Sequence, residues 1–358
     1  MVVTVLNVQT SPQQEEKRKA LPPLPTLSRK PRVAAVPILL ALLLSGAGTA
    51  NAAAALFLEE PFGVFGRVTP TGHAAVYLSR VCASSPTALR PCEPGETGVV
   101  ISRYHRVGGY DWIAIPLIPY LYAVEQPEQV PLYVNAEMVA SLRDNYRREH
   151  LERVAPDADG GKTPDGDWTQ LVGASYDRKI YSFEIETTDA QDSQLIEKLN
   201  SQKNTTHFNL FLYNCADFSR GVINTYYPHA THRSLFADQG ITTPKQIAKS
   251  LVSYSKSHSD LQFSCFVIAQ VPGTLPRSGA VRGVFEAFLK KKYVLPVAAL
   301  HPLVASGMAV AYVAMACCDR RRNFASHLDR EAEPAAILAD LQSNRTGYAA
   351  ATSAESGK

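Results

Sequence analysis

The chain has 358 residues, 46% of them hydrophobic, with a formal net charge of +3. That is enough for one substantial domain with appendages. Its basic residues fall beside apolar stretches, and it has neither a zinc-type CxxC pair nor a Gly-rich phosphate loop. Charge therefore gives no argument for a nucleic-acid partner, and no metal or cofactor is expected.

The first 52 residues read as an export signal. Arg29, Lys30 and Arg32 precede an apolar run from Val33 to about Leu44, and Ala50-Asn51-Ala52 fits the small-x-small cleavage pattern. Mature protein would begin near Ala53, with an uncleaved anchor as the alternative. A folded body is expected over 53–271. Leu56 to Leu58 is a short apolar strand, and Glu59-Glu60-Pro61-Phe62-Gly63 reads as a turn. His73 to Leu78 and Gly98 to Tyr104 form an antiparallel pair around a turn-rich loop bracketed by Cys82 and Cys92. In an oxidising compartment those two cysteines are expected to form a disulfide.

The aromatic-rich run Tyr110 to Tyr122 reads either as the lining of an apolar acyl groove or as ordinary core. Asn135 caps a helix whose apolar stripe is Met138, Val139, Leu142 and Tyr146. Residues 156–167 form an exposed loop, Lys179 to Thr187 alternates as a half-buried strand, and Gln191 to Asn200 is helical. A helix with Pro244 in its first turn and a final strand from Leu261 to Ala269 complete the body. The order of strands, then helices, then a strand lacks βα alternation and predicts an α+β fold. Residues 272–292 read as a linker and juxtamembrane segment, and Tyr293 to Cys318 as a membrane span. Residues 319–358 form a polar cytoplasmic tail. Export upstream puts the body on the periplasmic side of the inner membrane.

Two segments carry chemistry. In Tyr213-Asn214-Cys215-Ala216-Asp217-Phe218, Asn214 is a favoured N-cap and Asp217 suits the positive end of the helix. Cys215 would sit in the inward-facing first turn, where backbone N–H groups lower a thiol pKa and can hold an oxyanion. In Thr71-Gly72-His73, the histidine opens a strand at the sheet edge. A third polar group is needed to orient it, and residues 101–105 lie opposite. Only one parity shares its face; His105 is the choice, with Ser102 and Tyr104 behind it. A Cys215–Cys265 disulfide is the structural alternative to catalysis, and a zinc site using Cys215 near His207, His229 and His232 is the weaker one.

Gly72-His73 on a strand, with Asn214-Cys215-x-x-Phe218 opening a later helix, resembles the circularly permuted branch of the papain-like NlpC superfamily. Lecithin:retinol acyltransferase-like proteins and exported Lnb-type periplasmic domains belong there. The resemblance implies a helix packed on an antiparallel sheet, Cys215 as nucleophile, His73 as base, and Asn214 and Ala216 in support at the oxyanion position. It also implies an amide or ester substrate, either a cell-wall peptide or an acyl lipid. A non-catalytic envelope module of the same fold is the other expectation.

Overall fold

β1 (Ala53–Glu59) lies at the centre of the sheet, and nearly everything that positions the site is built outward from it. A computed structural model describes residues 53–284, except 64, 65, 67–69, 206, 234–237 and 239, and a two-residue strand at 331–332. The expected signal (1–52), the membrane span (293–318) and nearly all of the tail lie outside the described residues. Among the described residues no helix is long and apolar enough to cross a membrane.

The remaining strands are β2 (His73–Leu78), β3 (Val81–Ser85), β4 (Ala88–Pro91), β5 (Val99–Ser102), β6 (Ile113–Pro116), β7 (Ile180–Glu186), β8 (Ser264–Ile268) and β9 (Glu331–Ala332). The main sheet runs β6-β5-β2-β1-β7-β8-β9; every pair is antiparallel except β8 with β9, and β3 and β4 form a separate hairpin. The helices are α1 (Leu117–Tyr122), α2 (Ala136–Tyr146), α3 (Ala174–Asp177), α4 (Asp189–Ser201), α5 (Cys215–Tyr226) and α6 (Pro244–Ser255). The architecture is α+β.

Both faces of the sheet are covered, and period-two alternation sorts each strand between them. Ala55, Phe57, Ala75, Tyr77 and Val100 pack with α1 and with Val139 and Tyr146 of α2. Ala54, Leu56, Leu58, Ala74, Val76 and Leu78 pack with Leu195 of α4, Phe218 and Val222 of α5, and Ile247 and Leu251 of α6. All six residues of β2 are therefore buried, and its sequence is apolar throughout after His73.

Two readings change on the inner side of α1 and α2. Leu117 to Tyr122 are all buried, so this half of the aromatic run is core. Met138 is exposed, because Arg143 takes the inward place beside Val139. The Arg143 guanidinium donates to the Val172 and Gly173 carbonyls and pairs with Asp177, which satisfies its buried charge. Cys82 and Cys92 form a disulfide with Cα atoms 4.8 Å apart, while Cys215 and Cys265 form none.

Candidate active site

Gly72 turns the chain into β2 at φ +74°, and a Cβ there would stand 2.2 Å from the Glu59 carbonyl oxygen. Only glycine fits so close to the end of β1 in that conformation. His73 follows directly opposite Glu59, so the two side chains share a face.

β5 stops at Ser102, and the edge of β2 beyond it is open to side chains. Ser102 Oγ lies 2.7 Å from the Ala74 carbonyl oxygen and 2.9 Å from His73 Nε2. A carbonyl only accepts, so the single hydroxyl hydrogen goes to Ala74. His73 must then donate its Nε2–H to Ser102, which leaves Nδ1 with the basic lone pair. Tyr104 stacks on the imidazole with ring centroids 5.0 Å apart.

The structure thus gives His73 the partner Ser102, not His105. In register, Val76 pairs with Ile101 and Tyr77 with Val100, so the even-numbered residues 102 and 104 share the face of His73 and residue 105 does not. His105 instead turns outward, 3.5 Å from Asp167 and edge-on to Phe208.

Cys215 is the first residue of α5. Asn214 Oδ1 accepts from the Asp217 amide at 3.0 Å, and Asp217 Oδ2 accepts from the Asn214 amide at 3.4 Å, closing a capping box. The Asn214 amide group also donates to Leu210 and Thr242 carbonyls, so the cap ties the preceding loop to α6's approach. Asp217 Oδ1 in turn accepts from Arg233 and Thr242.

The Cys215 sulfur lies against the backbone amides of Ala74, Ala216 and Cys215 itself, each of which favours a thiolate. Ala74 follows His73, and its carbonyl already bonds Ser102. Its N–H points the same way from an extended strand, toward the gap that β5 leaves. Cys215 therefore reaches β2 at Ala74, the residue that follows His73 in sequence.

The electrostatics reverse one expectation. Enclosure pushes the Cys215 thiol up to about 11, and the Glu59 carboxylate adds to that, outweighing the three amides. Burial holds His73 well below the ordinary imidazole value, and the Arg178 guanidinium pushes the same way. At neutral pH the site holds a thiol and a neutral imidazole, not a thiolate–imidazolium pair. Cys215 is half-buried, and helix-terminus amides alone do not make a thiolate beside packed apolar groups.

Glu59 and Arg178 are the residues that sequence reading missed. Arg178 Nη1 lies 2.9 Å from Glu59 Oε2, both side chains almost fully enclosed, and Tyr120 donates its hydroxyl to Glu59 Oε1. Burial pushes the Glu59 carboxyl up against the pull of Arg178 and Tyr120. The guanidinium also lies over the Phe62 ring, 4.6 Å from its centroid. Acidic Glu59 read as part of a turn because its partner is 119 positions away in sequence (178 minus 59).

Two open hollows flank this end of the molecule, one of about 710 Å³ beside Arg106 and Tyr213 and one of about 260 Å³ between α4 and α5. Neither is lined by Cys215 or His73. Among the described residues the only cluster with metal-ligand spacing is Cys82, Cys92 and Glu96, and its two sulfurs are consumed by the disulfide. Compared with known proteins, the chain matches no family model, no curated protein and no solved structure.

Proposed function

We propose that the chain is an exported, membrane-anchored thiol hydrolase or acyltransferase of permuted papain-like type, acting on an acyl ester or amide through Cys215 and His73. One observation carries this reading. The Cys215 sulfur, at a capped helix start, reaches the backbone of Ala74, the residue after His73, whose Nε2 donates to Ser102 and whose Nδ1 is left with the basic lone pair.

In this reading Cys215 attacks the carbonyl carbon as its proton passes to His73 Nδ1, so a neutral pair reacts without a standing thiolate. The backbone amides around the sulfur stabilise the oxyanion. The imidazolium then protonates the departing oxygen or nitrogen, leaving a thioester. Water or an acceptor alcohol or amine, deprotonated by His73, attacks the thioester carbonyl and releases Cys215 as a thiol. Ser102 accepts from Nε2 throughout and fixes the tautomer.

A non-catalytic binding module is favoured by two facts: the thiol is raised, and neither hollow reaches it. Mass spectrometry after incubation with phospholipid vesicles and, separately, with cross-linked wall peptides distinguishes the two. The enzyme reading expects an acyl adduct on Cys215 that disappears in Cys215→Ser and His73→Ala and persists in Cys265→Ala. Absence of an adduct with both substrates, with Cys215 alkylated no faster than Cys265, leaves the binding module.

A further inference from the structure

Leu210, Phe211, Leu212 and Tyr213 stand immediately before the Asn214 cap and are 46%, 59%, 53% and 55% exposed. They are four of the seven large exposed hydrophobic residues among those described; the other three are Leu132, Tyr133 and Met138. The tip is built, not frayed. Asn209 and Tyr213 exchange backbone hydrogen bonds of 3.2 and 2.9 Å. Asn209 Oδ1 accepts from the Phe211 and Leu212 amides, Asn214 Nδ2 donates to the Leu210 carbonyl, and Arg233 donates to that of Leu212. Polar bonds hold the tip's backbone while its four apolar side chains face water, an arrangement soluble surfaces generally avoid.

The charge around it is mainly positive. The two hollows that Tyr213 borders are lined by six cations (Arg103, Arg106, Lys198, Lys203, Arg220, Arg233) and by two carboxylates, Asp111 and Asp217. Both carboxylates are already paired, with Arg103 at 2.6 Å and Arg233 at 2.7 Å, so an excess of four positive charges remains (six minus two). An aromatic and aliphatic tip ringed by cations is complementary to an anionic bilayer: apolar groups enter the acyl boundary while cations meet lipid phosphates.

We propose that residues 210–213 insert into the surface of an anionic lipid bilayer and so bring acyl lipids close to the start of α5, where Cys215 lies two residues on from Tyr213. The substrate half of this rests on the thiol reading above; the insertion half does not. The tip's four side chains take the place of a lipid packing defect, and the same segment continues without a break into the cap that sets Cys215. Acyl esters held in a membrane are thereby favoured over soluble wall peptides.

The test uses the full chain reconstituted in vesicles, with Phe211→Trp as reporter and the parent, whose Trp112 and Trp168 are buried, as background. In mixed phosphatidylcholine–phosphatidylglycerol vesicles the added tryptophan should emit to the blue and be quenched by brominated acyl chains. In pure phosphatidylcholine at high salt the quenching should fall severalfold, as expected when each cation near the surface contributes about fivefold. Solvent-like, unquenched emission in both vesicles overturns the proposal, as does a blue shift without lipid that grows with protein concentration, which would mark a second copy as the occupant. Cys215→Ala should leave the quenching intact. Quenching without a Cys215 adduct keeps the docking and removes the thiol reading; an adduct without quenching does the reverse. Phe211→Asp with Leu212→Asp should slow Cys215 acylation by a bilayer-partitioned ester about tenfold or more, with alkylation by water-soluble iodoacetamide unchanged; equal slowing of both would mean a damaged site and overturn the assignment.

Discussion

Ser102 decides which nitrogen of His73 carries the basic lone pair, because its only hydrogen is committed to the Ala74 carbonyl. Ser102→Ala leaves a buried Nε2–H without an acceptor and frees the tautomer, while the ring remains stacked on Tyr104. Acylation of Cys215 should slow about tenfold to a hundredfold in that variant and by about 10² to 10⁴ in His73→Ala, the usual range for a lost general base. His105→Ala, whose imidazole faces Asp167 and Phe208, should stay near the parent rate. Stopped-flow acylation rates check the ordering; His105→Ala falling with His73→Ala would contradict the parity argument. The thiol has its own signature. With its pKa raised to about 11, Cys215 is a thiolate only in small part at pH 8. In Cys265→Ala, its alkylation rate should climb about tenfold per pH unit through pH 9 and 10, without levelling near the ordinary thiol value. A plateau by pH 9 would show that the amides at the helix start outweigh enclosure.

At the scale of single elements, the capping box of α5 holds both the helix and the loop ahead of it. Asn214→Ala removes the bond to the Asp217 amide and the two donated to Leu210 and Thr242. The expected loss is about 1 to 2 kcal/mol, the upper part of the range for N-cap removal, read from chemical denaturation. A loss below about 0.5 kcal/mol would mean the cap is replaced by water. This helix was legible in sequence because its signals are local: Asn214 before the turn, Asp217 within it, Phe218, Val222 and Tyr226 at helical spacing, and Pro228 beyond. The strand β2 was legible for the same reason. What escaped depends on distance. The parity of β5 is fixed by a register that no local pattern states, so His105 looked as good as Ser102. The Glu59–Arg178 pair joins the end of β1 to the chain just before β7. The depth to which Cys215 is enclosed is a property of three packed layers. Local pattern therefore located the helix start that carries Cys215 and the strand that His73 opens, but not the raised thiol of the one or the Ser102 partner of the other.

For the whole molecule, the charge states of this buried end should appear in the pH dependence of folding. His73 is held well below its ordinary value of 6.5. The unfolded chain therefore binds a proton near that pH while the folded one does not. Stability from this group is complete above about pH 6.5 and is lost as pH falls toward the folded value, at up to about 1.4 kcal/mol per pH unit. Glu59 is shifted upward by burial and works in the opposite direction. Its folded carboxyl binds a proton before the unfolded one does, so its contribution is complete below about pH 4.5 and is lost as pH rises through the folded value. Subtracting a variant isolates the first effect. Denaturation curves of the parent and His73→Gln should run parallel above pH 7 and diverge below 6.5, the parent losing stability faster. The divergence should end only where His73 itself takes a proton in the folded state, well below 6.5. Parallel curves down to pH 5 would mean that His73 is solvated enough to protonate in the folded state. The imidazole would then be charged at mildly acidic pH and unable to take the Cys215 proton there, and acylation would fall with an ordinary histidine pKa instead of persisting below pH 6.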